Sequence, residues 1–122
     1  MGERIFLGVL RMALTIPGAR SRKDRRQAVV SLRDRLLHRF DVSFHAIGDP
    51  ERLTRQVVVL TTSGDDPAVL RQTLDRITAF VDQSGSVLPG EVDVEVFRWH
   101  PPGLEGLSFD RDEADPEDED GG

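Results

Sequence analysis

Pro17-Gly18 separates two stretches whose apolar residues recur with different periods, and that change fixes how the first half of the chain can fold. From Arg4 to Ile16 the residues alternate. Phe6, Leu10, Met12, Leu14 and Ile16 fall on one side and Leu7, Val9, Arg11 and Ala13 on the other, as in a strand. Beyond the turn, Ala28, Val29, Leu32, Leu36 and Phe40 recur at helical spacing, which predicts an amphipathic helix of about five turns ending near Phe40. Proline cannot extend the ladder and glycine accepts the turn, so neither element can run into the other. Ser21 is a good N-cap, with Asp24 three residues on as a short version of the capping-box partner.

The second half repeats the scheme. Asp41 to Ile47 alternates, with Val42, Phe44 and Ala46 inward and Ser43 and His45 outward, and Gly48-Asp49-Pro50-Glu51 reads as a turn. The run Val57-Val58-Val59-Leu60, within Arg55 to Thr62, is expected to form a central strand buried on most of both faces. Asp65-Asp66-Pro67 opens a second helix with the stripe Val69, Leu70, Leu74, Ile77, Phe80 and Val81, and Gly85 stops it. From Glu91 to Trp99, Val92, Val94 and Val96 share one face and Asp93, Glu95, Phe97 and Trp99 the other. The order β-α-β-β-α-β is the split-βαβ arrangement of a ferredoxin-like α+β sandwich, with two helices on one face of a four-stranded antiparallel sheet. One such domain is expected over residues 1–100. Residues 101–122, rich in proline and then in acids, are expected to be a disordered acidic tail, with Leu104, Leu107 and Phe109 docking weakly at most.

The formal net charge of −6 averages segments of opposite sign. Residues 101–122 carry −8 and residues 1–100 carry +2, while Arg20 to Arg39 holds eight bases against Asp24 and Asp34. A chain without cysteine has no disulfide framework, thiolate metal site or cysteine nucleophile. Arg11 interrupts the apolar run near the start and Glu3 offsets Arg4, which favours a strand over a signal peptide, and no stretch approaches the ~20 apolar residues of a spanning helix. A cytoplasmic protein with no membrane, metal or cofactor partner is expected.

Two surfaces stand out. The helix start and its basic flank, comprising Arg20, Ser21, Arg22, Lys23, Arg26 and Arg33, form a candidate nucleic-acid or anion site, to which the resemblance given below adds Arg35. Unpaired N–H groups at a helix start favour phosphate, and Arg22, Arg26 and Arg33 lie within roughly 40° of one another on a helical wheel. Such a stripe grips a phosphate backbone without reading sequence. The bland alternative is a solvated face whose long side chains flank the apolar stripe. The second surface is the open sheet face, where Val9, Ala13, Phe97 and Trp99 are candidates for a homo-oligomer contact. The three histidines lack ligand spacing, and helix capping explains Asp65-Asp66 better than metal binding does. An RNA-recognition motif would need stacking aromatics on its first and third strands. An acylphosphatase would need an asparagine, and the chain has none.

Gly8-Val9-Leu10-Arg11, Ile16-Pro17-Gly18-Ala19-Arg20-Ser21, Lys23, Arg26, Ser31-Leu32-Arg33-Asp34-Arg35-Leu36 and Arg39-Phe40-Asp41-Val42-Ser43 together resemble the YlxP-like family of small bacterial proteins of uncharacterised function. The likeness spans roughly residues 5–97. It implies a ferredoxin-like fold and no established activity, and the family's genes often lie among those for translation initiation and ribosome maturation. Ser21, Lys23, Arg26 and Arg35 are the matching positions on the basic helix. Leu53 stands where family members often carry an aromatic, and the acidic tail looks like an addition. The resulting expectation is a non-enzymatic, RNA- or ribosome-associated protein, with a homo-oligomeric ligand-binding or regulatory module as the alternative.

Overall fold

The first strand is the middle of the molecule. In a computed structural model, which describes residues 3–48 and 54–102, β1 (Ile5–Thr15) pairs antiparallel with β3 (Arg55–Gly64) on one side and β4 (Leu88–Trp99) on the other. The short β2 (Ser43–Ile47) adds to the outer side of β3, giving the sheet order β2-β3-β1-β4. With α1 (Arg22–Arg39) after β1 and α2 (Pro67–Asp82) after β3, the order is the β-α-β-β-α-β of a ferredoxin-like domain.

Alternation decides which strand residues meet the helices. Leu10, Met12 and Leu14 of β1 and Val58 and Leu60 of β3 point to the helical side, where Leu32 and Leu36 of α1 and Leu74, Ile77 and Val81 of α2 close over them. Val57 and Val59 lie on the other face and are only half-buried, so the valine run is covered on one side rather than on both. Among the described residues no helix backs that second face, which is why the expected two-sided burial fails. Val69 also departs from expectation. At 52% exposed it sits outside the α2 stripe, because Leu70 one residue on takes the inward position.

β4 starts three residues earlier than its alternation suggests, at Leu88. Leu88 pairs with Thr15 and Pro89 with Leu14 across a register shift between Met12 and Leu14. An edge strand tolerates a proline at a bulge because no neighbour on its outer side needs the missing N–H. Gly90 is part of the same device, since a Cβ there would stand 3.1 Å from the Ala13 carbonyl. β2 starts at Ser43 instead of Asp41, and the turn expected at residues 48–51 falls almost wholly outside the described residues. The tail expected over 101–122 does too, from residue 103 onward.

The connection from β1 to α1 is built by two residues. Gly18 takes a positive φ of 83°, which an L side chain rarely adopts. Ser21 then caps α1, its hydroxyl accepting from the Asp24 N–H at 3.1 Å while the Asp24 carboxylate accepts from the Arg20 N–H at 2.9 Å. The first bond is the expected half of a capping box, while the return bond from Asp24 goes to the residue before the cap instead of to Ser21 itself. α2 is capped by Asp66, whose carboxylate accepts from the Ala68 N–H at 3.0 Å, with Pro67 at the start of the helix.

Candidate functional site

The basic residues of α1 divide into three groups according to the direction each helical position faces. Arg35 and Arg39 point toward α2. Their guanidinium groups lie 5.9 and 5.0 Å from the Phe80 ring centre, Arg35 donates to the Ser86 hydroxyl at 3.1 Å, and Phe40 meets Phe80 edge-on at 6.2 Å. These contacts make Arg35, a candidate through the family resemblance, part of the helix-to-helix seam, on a different flank from Arg22, Arg26 and Arg33.

The second group surrounds the helix start. Asp24 holds its carboxylate against the Arg20 N–H and Ser21 spends its hydroxyl lone pair on Asp24. A carboxylate therefore already stands at the positive end of α1, where a phosphate was expected, and like charge disfavours adding one. Ser21 and the Arg20 backbone act as the cap. Arg22, Lys23, Arg25 and Arg26 line a hollow beside it.

The third group faces β2. Arg25, Arg26, Val29, Val30 and Arg33 form one wall of an open cleft of about 400 Å³, and Phe44, His45 and Ala46 of β2 form the other. Gln56 closes the floor. α1 buries no residue between Arg22 and Ala28, whereas Val29, Leu32 and Leu36 pack into the core. Arg33 forms an ion pair with Asp34 at 3.0 Å, and both side chains are substantially solvated. Such a surface pair contributes about 0–1 kcal/mol and exchanges readily for another anion. The structure thus brings Arg26 and Arg33 together, leaves Arg22 next to them across Arg26, and adds three residues not singled out from sequence: Arg25, Phe44 and Gln56.

Gln56 is 7% exposed, the one buried polar side chain among the described residues. Its amide donates to the Val57 carbonyl at 3.1 Å. The signal that would have found it is in the pattern: Gln56 shares the inward face of β3 with Val58 and Leu60, where an apolar residue is the rule.

The open sheet face is divided by charge. Ile5 and Leu7 pair across the ladder with Trp99 and Phe97, giving an apolar end with Val9 beside it, and Trp99 is 41% exposed. Arg11 interrupts the face, bridging Asp93 at 3.2 Å and Glu91 at 3.7 Å. Ala13 is 7% exposed and offers a partner almost nothing, which removes it from the candidate oligomer contact. Among the described residues no cluster of three or more histidine and acidic side chains could hold a metal ion, and no helix is long and apolar enough to cross a membrane.

The chain is a ferredoxin-like α+β domain with a cationic helix beside an open cleft, and a fold of this kind does not by itself define an activity. The chain belongs to the family described as "Protein of unknown function (DUF503)", whose model matches residues 7–93. Among solved structures, the de novo designed protein Foldit4 is similar over 80% of this chain and 99% of its own, at 13% identity and a TM-score of 0.42. The curated proteins give no match.

Proposed function

We propose that this protein is a non-enzymatic RNA-binding protein that contacts phosphates through the β2-facing flank of α1, in the service of translation or small ribosomal subunit maturation. The observation that carries the reading is the convergence of Arg25, Arg26 and Arg33 on one cleft, with Arg22 and Lys23 extending the same basic surface toward the helix start. Arginine is suited to this role because its planar fork matches phosphate oxygens in pairs and its charge persists at every physiological pH. The ribosomal setting comes from the resemblance to the YlxP-like family, whose gene neighbourhood suggests it. The acidic residues of 101–122 are the intramolecular competitor for the same arginines, since −8 lies on one chain with +6.

The test is co-sedimentation with small ribosomal subunits and their precursors at low and moderate salt, with the full chain and a chain ending at His100. Salt-sensitive association that strengthens without the tail is expected, because every phosphate contact lowers the logarithmic salt slope by about 0.9. Failure of both chains to associate at low salt would sink the ribosomal reading.

A second reading rests on the apolar end of the open sheet face, where Leu7, Phe97 and the exposed Trp99 sit together beyond the Arg11 ion pairs. A homo-oligomer through that surface would survive high salt and dissociate on Trp99→Ala, whereas RNA binding responds in the opposite way to both changes.

A further inference from the structure

We infer that the cleft between α1 and β2 accepts one unpaired base of a single-stranded RNA, with Gln56 hydrogen-bonding the edge of that base. The inference rests on the RNA reading above and deepens it, from a surface that grips phosphates to a pocket that takes a nucleotide.

Three observations carry it. First, the walls combine apolar and basic side chains. Val30 and Phe44 offer apolar surface for a ring, and Arg26 and Arg33 stand around it. Unpaired bases are held in this way, stacked on aromatic or guanidinium planes while neighbouring phosphates meet arginines. A site for phosphate alone needs no apolar wall.

Second, the floor is an amide where the fold asks for a hydrocarbon. Gln56 is on the core-facing side of β3, paired across the ladder with the fully buried Leu14. A glutamine amide has two N–H donors and a carbonyl acceptor, and the Val57 carbonyl engages one donor. A donor and an acceptor side by side match the hydrogen-bonding edge of a base, the same logic by which glutamine pairs with adenine in double-stranded DNA.

Third, the backbone makes room for that amide. A Cβ at Gly48, just past the end of β2, would fall 2.4 Å from the Gln56 Nε2. Any side chain at position 48 therefore displaces the amide from the floor. The atom it would strike is the far end of a flexible side chain, so the displacement disturbs the pocket and spares the fold. The dimensions agree as well, since about 400 Å³ falls within the range of small-molecule sites.

The experiment compares a short single-stranded RNA with an abasic ribose-phosphate oligomer of the same length, both titrated against the full-length protein at low salt. The base-bearing strand is expected to bind roughly tenfold tighter. Gly48→Ala and, independently, Gln56→Met are expected to bring that ratio toward one, and Arg35→Ala, on the far flank of α1, to leave it unchanged. Equal affinity of the natural protein for the two oligomers overturns the inference and leaves the phosphate-binding reading standing. A base preference that neither Gly48→Ala nor Gln56→Met alters also overturns it, because the base would then sit elsewhere. Absence of binding to either oligomer overturns the inference together with the reading beneath it.

Discussion

α2 sends Leu70, Leu74, Ile77 and Val81 into the core from sixteen residues, whereas α1 buries only Val29, Leu32 and Leu36 from eighteen. The two helices cover the same face of one sheet, so the difference reflects what the remaining positions are used for. α2 lies against the paired centre of the sheet and β4. α1 lies toward the short edge strand β2, and its first two turns carry Arg22, Lys23, Arg25 and Arg26 where a purely structural helix would carry apolar residues or balanced charges. Self-repulsion along that segment is offset by the Ser21 and Asp24 cap at one end and by the seam of Arg35, Arg39, Phe40 and Phe80 at the other. α2 therefore packs into the core from Leu70 to Val81, while α1 anchors from Val29 onward and leaves its first two turns outside the core.

Substitutions can break that division or sharpen it. Leu74→Ala empties a fully buried position of α2 and is expected to lower stability by about 2–5 kcal/mol in urea denaturation. RNA affinity per folded molecule should not change, and a parallel loss of affinity would show that α2 also belongs to the binding surface. Reversing Arg22, Arg26 and Arg33 to glutamate should weaken RNA binding on the order of a hundredfold at low salt and flatten the logarithmic salt slope by about 3. Retained affinity would place the phosphate contacts off α1. Ser21→Ala removes the acceptor for the Asp24 N–H and is expected to cost about 1 kcal/mol of stability, read as a lower thermal midpoint. Smallest is Arg35→Ala, which should cost about 0.5–1 kcal/mol through the lost Phe80 and Ser86 contacts and leave RNA binding intact. A large effect of Arg35→Ala on binding would restore Arg35 to the basic surface.

The fold was legible in the sequence because its elements are strongly periodic and sharply punctuated. Pro17-Gly18 and Asp66-Pro67 mark real boundaries, and the caps at Ser21 and Asp66 form as their spacing implies. The misreadings share a cause: local pattern does not report what lies across from it. Nothing in Val57-Val58-Val59-Leu60 says that one face will lack a helix, and nothing in Pro89-Gly90 says that a register shift opposite Ala13 will absorb both residues. The site was harder to read. A helical wheel groups Arg26 with Arg33 but cannot show that β2 stands opposite them, so nothing in the sequence joins Phe44 and Gln56 to those arginines. Arg35 is a candidate through the family resemblance, and neither that nor its charge distinguishes an arginine stacked on Phe80 from one facing solvent.

The pairing of β1 with β4 also governs when the molecule can be finished. Ile5 lies opposite Trp99, so one flank of the first strand made stays open until the last strand has been made. Synthesis at about 5–20 residues per second leaves Leu10, Met12 and Leu14 without their complete enclosure for several seconds, and contacts so distant in sequence close slowly by the standard of small domains. A nascent chain arrested before Leu88 would thus hold both helices and three strands without the strand that completes the sheet, making it a substrate for chaperones and proteases.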